Sequence, residues 1–315
     1  MPALLVANDG GHLMQLHSLA SRLEWQNRIW MTVRTAQSES LLRGEQVIWM
    51  RPARTRDLRA VVTNTWLARN VLRGIRLEAA VSTGASLALS VLPVARMFGI
   101  PCFYIESATR VAGPSVSGRL LGAVPGIRRF TQHEEWANRR WSYRGSVLDE
   151  YESVVNPGSE GDISPRKIVV TLGTSESYGF RRLLDRLKEI LPADAEVLWQ
   201  TGSTDVSGLG ICGRVAVPAS ELLESMRACD VVIAHAGTGS ALSALQSGKV
   251  PLLVPRRPEH AEHVDDHQLQ IAGSLASRKL AIVREVEDLD RSSLAVAARH
   301  SVVRVLQPPT LHLTS

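Results

Sequence analysis

Twice in this chain a short apolar run empties straight into a glycine turn and then into a helical pattern. Ala3 to Ala7 leads into Asn8-Asp9-Gly10-Gly11-His12, and Val231 to Ala234 leads into His235-Ala236-Gly237-Thr238-Gly239-Ser240. Strands that end in small residues before a helix are the building unit of open, mostly parallel sheets wrapped by helices. The rest of the chain keeps that rhythm. In the first half Val47 to Met50, Ala79 to Ser82 and Cys102 to Ile105 also read as strands, with helical spacing over His12 to Trp25 and Ser86 to Phe98. In the second half Ile168 to Thr171, Val197 to Gln200, Arg214 to Val217 and Val250 to Val254 read as strands. Gly179 to Leu191, Ala241 to Gln246 and Ser293 to Leu306 read as helices. The fold class is therefore α/β.

Between the halves, Tyr151 to Arg166 has linker composition, with Asn156-Pro157-Gly158-Ser159 and Ser164-Pro165. A chain of 315 residues, 44% hydrophobic and 21% charged, suits two ordinary cores. Its charge is uneven: residues 1–155 hold 19 Arg and no Lys against 12 acidic groups, a net +7, and the remainder is −2. A basic first half suits an anionic partner, such as a phospholipid surface or a diphosphate-bearing acceptor. No nucleic-acid motif is present and aromatics do not interleave with the arginines, so nucleic acid is not an expected partner.

Cys102, Cys212 and Cys229 form no CxxC pair, which fits reduced thiols rather than a disulfide framework. Val81 to Ile100 has the length of a membrane span, yet Gly84, Pro93, Arg96 and Gly99 interrupt it, so it reads as a buried strand-loop-helix unit. The segment MPALLVAN lacks the charged start of a secretory leader. The expected location is the cytoplasm, peripheral to the inner face of the cell membrane.

The stretch from His235 to Gln268 carries the densest chemical signal. Small residues at Gly237-Thr238-Gly239-Ser240 let a ligand approach the backbone, and the following helix start aims unpaired N–H groups at it, which makes an anion site. A dinucleotide fingerprint would need a third glycine, which Leu242 replaces. After the strand Val250 to Val254 comes a loop rich in charge, amide and imidazole: Arg256, Arg257, Glu259, His260, Glu262, His263, Asp265, Asp266, His267 and Gln268. Such a loop at a strand's carboxyl end suits sugar hydroxyls. His260, His263 and His267 match no familiar zinc spacing, and Asp288-Leu289-Asp290, despite its resemblance to a metal-diphosphate DxD motif, reads as a helix start. No metal and no cofactor is expected.

HAG-x-GS, then G-K-x-P, then DDHQ, together with VTLGTSESYGF at Val170 to Phe180, resembles the nucleotide-sugar-binding domain of glycosyltransferase family 28. NDGGHLMQL and the run STGASLALSV through YIESATRVAGPSVSGRLL resemble the partner subunit of the dolichol-pathway bipartite N-acetylglucosaminyltransferase and its bacterial exopolysaccharide counterparts. The chain thus looks like a fusion of the two subunits. The resemblance implies a MurG-like GT-B fold, two Rossmann-like domains facing across a cleft. The expected domains are 1–155 for the acceptor, 156–292 for the donor, and 293–315 as a C-terminal helix and tail returning to the first domain.

The resemblance also implies roles. Gly173, Thr174 and the turn His235, Ala236, Gly237, Thr238, Gly239 and Ser240 would bind the donor diphosphate; Asp266, His267 and Gln268 would face the sugar or ribose. Many family members hold the ribose through a Glu six residues beyond the HAG glycine, where this chain has Ser243. The implied activity is an inverting, metal-independent transfer of N-acetylglucosamine, glucuronic acid or another hexose from a UDP-sugar to a hydroxyl of a lipid-linked saccharide or small acceptor. Arg256 and Arg257 raise glucuronic acid as a candidate, since a guanidinium grips a carboxylate through two hydrogen bonds.

A base must take the acceptor's proton. His12, next to the acceptor-side turn Gly10-Gly11, is the first candidate, and Glu106, at the end of the strand Cys102 to Ile105, is the second. Arg110, Arg119, Arg128 and Arg129 around Leu120, Leu121, Val124 and Ile127 form a basic-apolar mixture suited to an anionic bilayer. The rival readings are a UDP-sugar epimerase of the same fold and a non-catalytic scaffold that binds nucleotide or membrane.

Overall fold

The computed structural model describes residues 1–52, 58–156, 164–174, 178–264 and 266–314. The chain divides into two compact units, Met1–Asp149 with Gln307–Ser315, and Glu150–Leu306.

The first unit is built on a seven-stranded sheet of β1 (Ala3–Ala7), β2 (Arg28–Val33), β3 (Val47–Met50), β4 (Ala79–Gly84), β5 (Cys102–Ile105), β6 (Ile127–Thr131) and β7 (Ser142–Tyr143), in the order β3-β2-β1-β4-β5-β6-β7. Every pairing is parallel. The connecting helices are α1 (Gly11–Ala20), α2 (Ala36–Leu41), α3 (Leu58–Leu72), α4 (Ser86–Met97) and α5 (Val116–Leu121). β1 and β4 are buried at every residue, as strands covered on both faces must be, which is why they read as continuous apolar runs. The candidate membrane span of the sequence is in fact β4, the turn at Gly84 and α4, with Leu87, Val91 and Leu92 in the core. Among the described residues no helix is long and apolar enough to cross a membrane.

The second unit repeats the plan. Counting on through β8 (Tyr151–Val155), its sheet holds β9 (Lys167–Thr171), β10 (Glu196–Gln200), β11 (Gly213–Arg214), β12 (Val231–His235), β13 (Leu252–Val254) and β14 (Ile282–Val283), in the order β11-β10-β9-β12-β13-β14 and all parallel. Its helices are α6 (Arg181–Ile190), α7 (Ala219–Ala228), α8 (Thr238–Gln246), α9 (His267–Ser277) and α10 (Arg291–Ala298). In each sheet the chain winds outward in one direction, returns to the middle and winds outward in the other. The reversal points lie between β1 and β4 and between β9 and β12, and at such points the connections on either side part to leave a ligand crevice at the strands' carboxyl ends.

Three expectations change. The helical pattern expected over Ser293 to Leu306 stops at Arg299; His300–Arg304 is β15, antiparallel to β8, because the β-branched pair Val302-Val303 suits a strand. α10 does not return to the first unit: Leu294 and Ala297 pack into the second core, and only the tail from Gln307 belongs to the first. The first five residues of the expected linker are β8 itself.

Candidate functional site

The turn after β12 and the turn after β9 meet at the second unit's reversal point. β12 and β9 pair through Ala234 and Thr171, so their ends lie side by side. His235 closes β12, and its Nδ1 donates to the carbonyl of Thr171 at 3.4 Å, since a carbonyl only accepts. Its imidazole lies between two glycines. A Cβ on Gly173, whose φ of +73° already favours glycine, would come within 2.8 Å of the ring, and a Cβ on Gly237 would overlap Nε2. Burial first, and then the nearby Arg256 cation, push His235 down to a pKa of about 3. The ring is therefore neutral at physiological pH, with Nε2 as an acceptor. Glycine in the HAG motif thus leaves room for the histidine ring.

α8 begins at Thr238 with Gly237 at its N-cap and no side-chain cap, so its first N–H groups are left for a ligand. Thr238 is buried, and its hydroxyl finds no hydrogen-bond partner among the described residues. Ala236 is fully covered, Thr174 is exposed, and Gly239 and Ser240 sit in the helix's first turn. Ser243 is buried on α8, and its carbonyl accepts from the Ser247 hydroxyl. Nothing at that position offers a ribose the carboxylate that the family resemblance implies.

The loop after β13 differs from expectation. Arg257 makes a two-pronged ion pair with Glu285, at 3.0 and 2.8 Å, and Arg256 is only 2% exposed, its Nη2 donating to the carbonyl of Leu172 at 2.9 Å. Arg257 is thus already paired with a carboxylate, and Arg256 is buried with one amino group given to a backbone carbonyl, so neither is an exposed, ready-made clamp for a sugar carboxylate. Gln268 is buried, and its amide oxygen accepts from the backbone N–H of Arg256 at 3.0 Å. Asp266 is exposed ahead of α9 and makes no capping hydrogen bond. His267 opens α9; its side chain and the whole of Asp265 lie outside the described residues. Asp290 is the N-cap of α10, accepting from the Ser293 N–H at 2.8 Å, which settles the DxD-like triplet as a helix start.

At the first unit's reversal point His12 occupies the opening turn of α1, whose N-cap, Gly10, also brings no side-chain cap. Its Nδ1 donates to the carbonyl of Thr83 at 2.8 Å, and the Thr83 hydroxyl donates to the His12 carbonyl at 2.8 Å. The turn after β4 thus fixes both ring and backbone. Burial lowers the His12 pKa, outweighing the Thr83 hydrogen bond and the attraction of Glu106. The neutral ring carries its proton on Nδ1 and its lone pair on Nε2. Asp9, whose carboxyl burial holds above its ordinary range, is a charged neighbour of His12 that the sequence reading passed over.

Glu106 is held by hydrogen bonds on both carboxylate oxygens. It is 1% exposed and accepts four hydrogen bonds: from the Tyr104 hydroxyl and the Ser107 N–H at 3.1 Å, and from the Ser115 N–H and hydroxyl at 2.9 and 3.0 Å. It anchors the loop running from Ser107 to Ser115. Gln15, one turn along α1 from His12, holds the same loop: its amide donates to Ser107 Oγ at 3.0 Å and accepts from the Ala108 N–H at 2.8 Å, and Gln132 donates to it at 3.1 Å. An amide among the leucines of the buried face of α1 was the sequence signal for this network.

Residues 167–301 match the model of the glycosyltransferase family 28 C-terminal domain. Similar curated proteins include the UDP-N-acetylglucosamine--N-acetylmuramyl-(pentapeptide) pyrophosphoryl-undecaprenol N-acetylglucosamine transferase of Bacteroides fragilis, 27% identical over 260 residues. The match covers 75% of this chain and 66% of that protein, just under two thirds of its length. The crystal structure of Acinetobacter baumannii MurG superposes with a TM-score of 0.58 at 18% identity, covering 94% of this chain and 89% of that one. The S. aureus MnaA-UDP co-structure superposes with a TM-score of 0.59 at 11% identity, covering 95% and 91%. The fold of the two parallel-sheet units is GT-B.

Proposed function

We propose, from the match of residues 167–301 to the glycosyltransferase family 28 C-terminal domain, that this chain is an inverting, metal-independent transferase moving N-acetylglucosamine from its UDP conjugate to a hydroxyl of a lipid-linked acceptor. The observation that carries the proposal is the pair of uncapped helix starts, α1 and α8, at the two reversal points, one beside a neutral His12 and the other beside a neutral His235. The donor diphosphate takes the α8 N–H groups and the acceptor takes the turn at Gly10-Gly11. Asp266 and the amide nitrogen of Gln268 are the sugar or ribose contacts. Nε2 of His12 removes the acceptor proton while the acceptor oxygen bonds to the anomeric carbon. The bond from that carbon to the diphosphate breaks, and its electron pair leaves with UDP. The sugar identity follows the name of the curated relative, and the neutral charge of that sugar suits a loop whose outer arginine, Arg257, is already paired with Glu285 and whose other, Arg256, is buried.

Membrane attachment is also proposed. Of the apolar residues expected to carry it, Leu121 and Ile127 are core residues and Leu120 is exposed (54%); α3 exposes Val62 (70%) and Trp66 (63%) with Arg59, Arg69 and Arg73 at the same helical spacing, and is the stronger candidate. The central test is thermal shift with UDP, UDP-N-acetylglucosamine and UDP-glucuronic acid. Ligand at about 100 times its dissociation constant adds roughly 2.7 kcal/mol, so a rise with the first two is expected. A chain whose melting temperature is indifferent to every uridine diphosphate is not this enzyme. Conversion of the UDP-sugar to an isomer with no acceptor present would favour the epimerase reading instead.

A further inference from the structure

We infer that the buried guanidinium of Arg256 is a built-in countercharge for the donor diphosphate, acting from the floor of the α8 site rather than by gripping the sugar. The inference rests on the donor reading above and adds a residue to it. Arg256 follows β13 by two residues, and its Nη2 is tied to the carbonyl of Leu172, the residue before the Gly173 turn. Its guanidinium lies 5.7 Å from the centre of the Phe180 ring, which fixes it by cation–π contact. It is thus held among the turns that surround His235, and its charge is felt there, since it helps to keep that ring neutral.

The charge itself is unusually bare. Glu262, the acidic group that acts on it, spends both oxygens elsewhere: Arg182 holds them at 3.1 Å each, and the Arg257 N–H takes one at 3.0 Å. The Nε of Arg256 finds no hydrogen-bond partner among the described residues. Burial lowers its pKa only to about 10, so the group remains a cation at neutral pH. A buried cation that none of the described carboxylates holds to itself is costly to a folded chain. The Thr238 hydroxyl, also buried and without a partner among the described residues, lies in the first turn of α8. A diphosphate would offset both costs: field lines from Arg256 and the helix start converge on it in a low-dielectric setting, where charge acts more strongly than in water. The same field favours departure of UDP as its terminal phosphate gains charge.

Binding of inorganic pyrophosphate, UDP, UMP and uridine by calorimetry separates this role from packing. Arg256→Gln keeps a donor for Leu172 but removes the charge, and should weaken UDP and pyrophosphate by about tenfold or more, UMP by less, and uridine not at all. Arg256→Lys should recover most of the loss. Equal weakening of uridine and UDP, or undiminished pyrophosphate binding in Arg256→Gln, overturns the inference. The Lys variant serves the same comparison if the Gln variant fails to fold, with a loss on uridine equal to that on UDP counting against the inference. Wild-type protein that binds pyrophosphate but no uridine compound overturns the donor reading while the Arg256 comparison proceeds on pyrophosphate; binding neither overturns both.

Discussion

The imidazole of His12 donates through Nδ1 to a carbonyl, so its tautomer is set by the turn after β4 rather than by solvent, and burial keeps it neutral. A histidine in that state is a base before substrate arrives. His12→Gln should lower kcat by about a hundredfold to ten-thousandfold and leave UDP affinity unchanged, measured by turnover and calorimetry on the same preparation. The sign of the pH dependence follows from the lowered pKa. Activity should hold through neutrality and fall only as pH drops through a value below 6.5, when Nε2 becomes protonated; an acid limb centred above 6.5 would point to a different base. The place of His12 was legible because it follows a glycine pair at the end of a strand. So was that of Glu106, but position at a strand end says where a carboxylate sits, and nothing about the four donors that surround it.

Strands and helices were legible where burial is one-sided or complete and turns are marked by glycine, as at β1, β5 and β12, whose expected and observed limits agree to within a residue. β6 escaped because Arg128-Arg129 interrupt its apolar run, whereas β2, Ile29 to Val33 after an opening Arg28, carries no flanking glycine to mark its ends. The Ser293 to Leu306 misreading has the same root. Ala295, Val296 and Ala297 carry a helix, but Val302 and Val303 fit a helix pattern only until the antiparallel pairing with β8 claims them. The start of α10 tests the reading of Asp290. Its side chain accepts from the N–H of Ser293, and the Ser292 and Ser293 hydroxyls donate to it, which holds its pKa down at about 2. Asp290→Ala should cost about 1 kcal/mol of stability in a denaturant titration while turnover, and its response to added magnesium, stay as in wild type. Loss of turnover without loss of stability would return the triplet to the chemistry.

At the scale of the whole chain, unit boundaries depend on contacts that no local pattern carries. The tail joins the first unit because Leu311 and Leu313 are buried there and Arg22 donates to the carbonyl of Pro309 at 2.9 Å, a pairing across almost the full sequence. The net charge of +7 over residues 1–155 was visible from composition, yet its useful part is arrangement. On α3, Arg59, Val62, Trp66 and Arg69, with Arg73 just past its end, recur at three- and four-residue steps, which stacks them along one exposed face, apolar in the middle and basic at both ends. Such a face gains from anionic headgroups through its arginines and from the acyl boundary through its tryptophan, and each gain alone is weak. Co-sedimentation should therefore show binding to vesicles rich in phosphatidylglycerol, little to pure phosphatidylcholine, and a decline as salt rises. Trp66→Ser with Arg69→Ala should abolish most of that binding and leave turnover of a water-soluble acceptor intact. If the double variant sediments as the wild type does, the contact lies on another face of the chain.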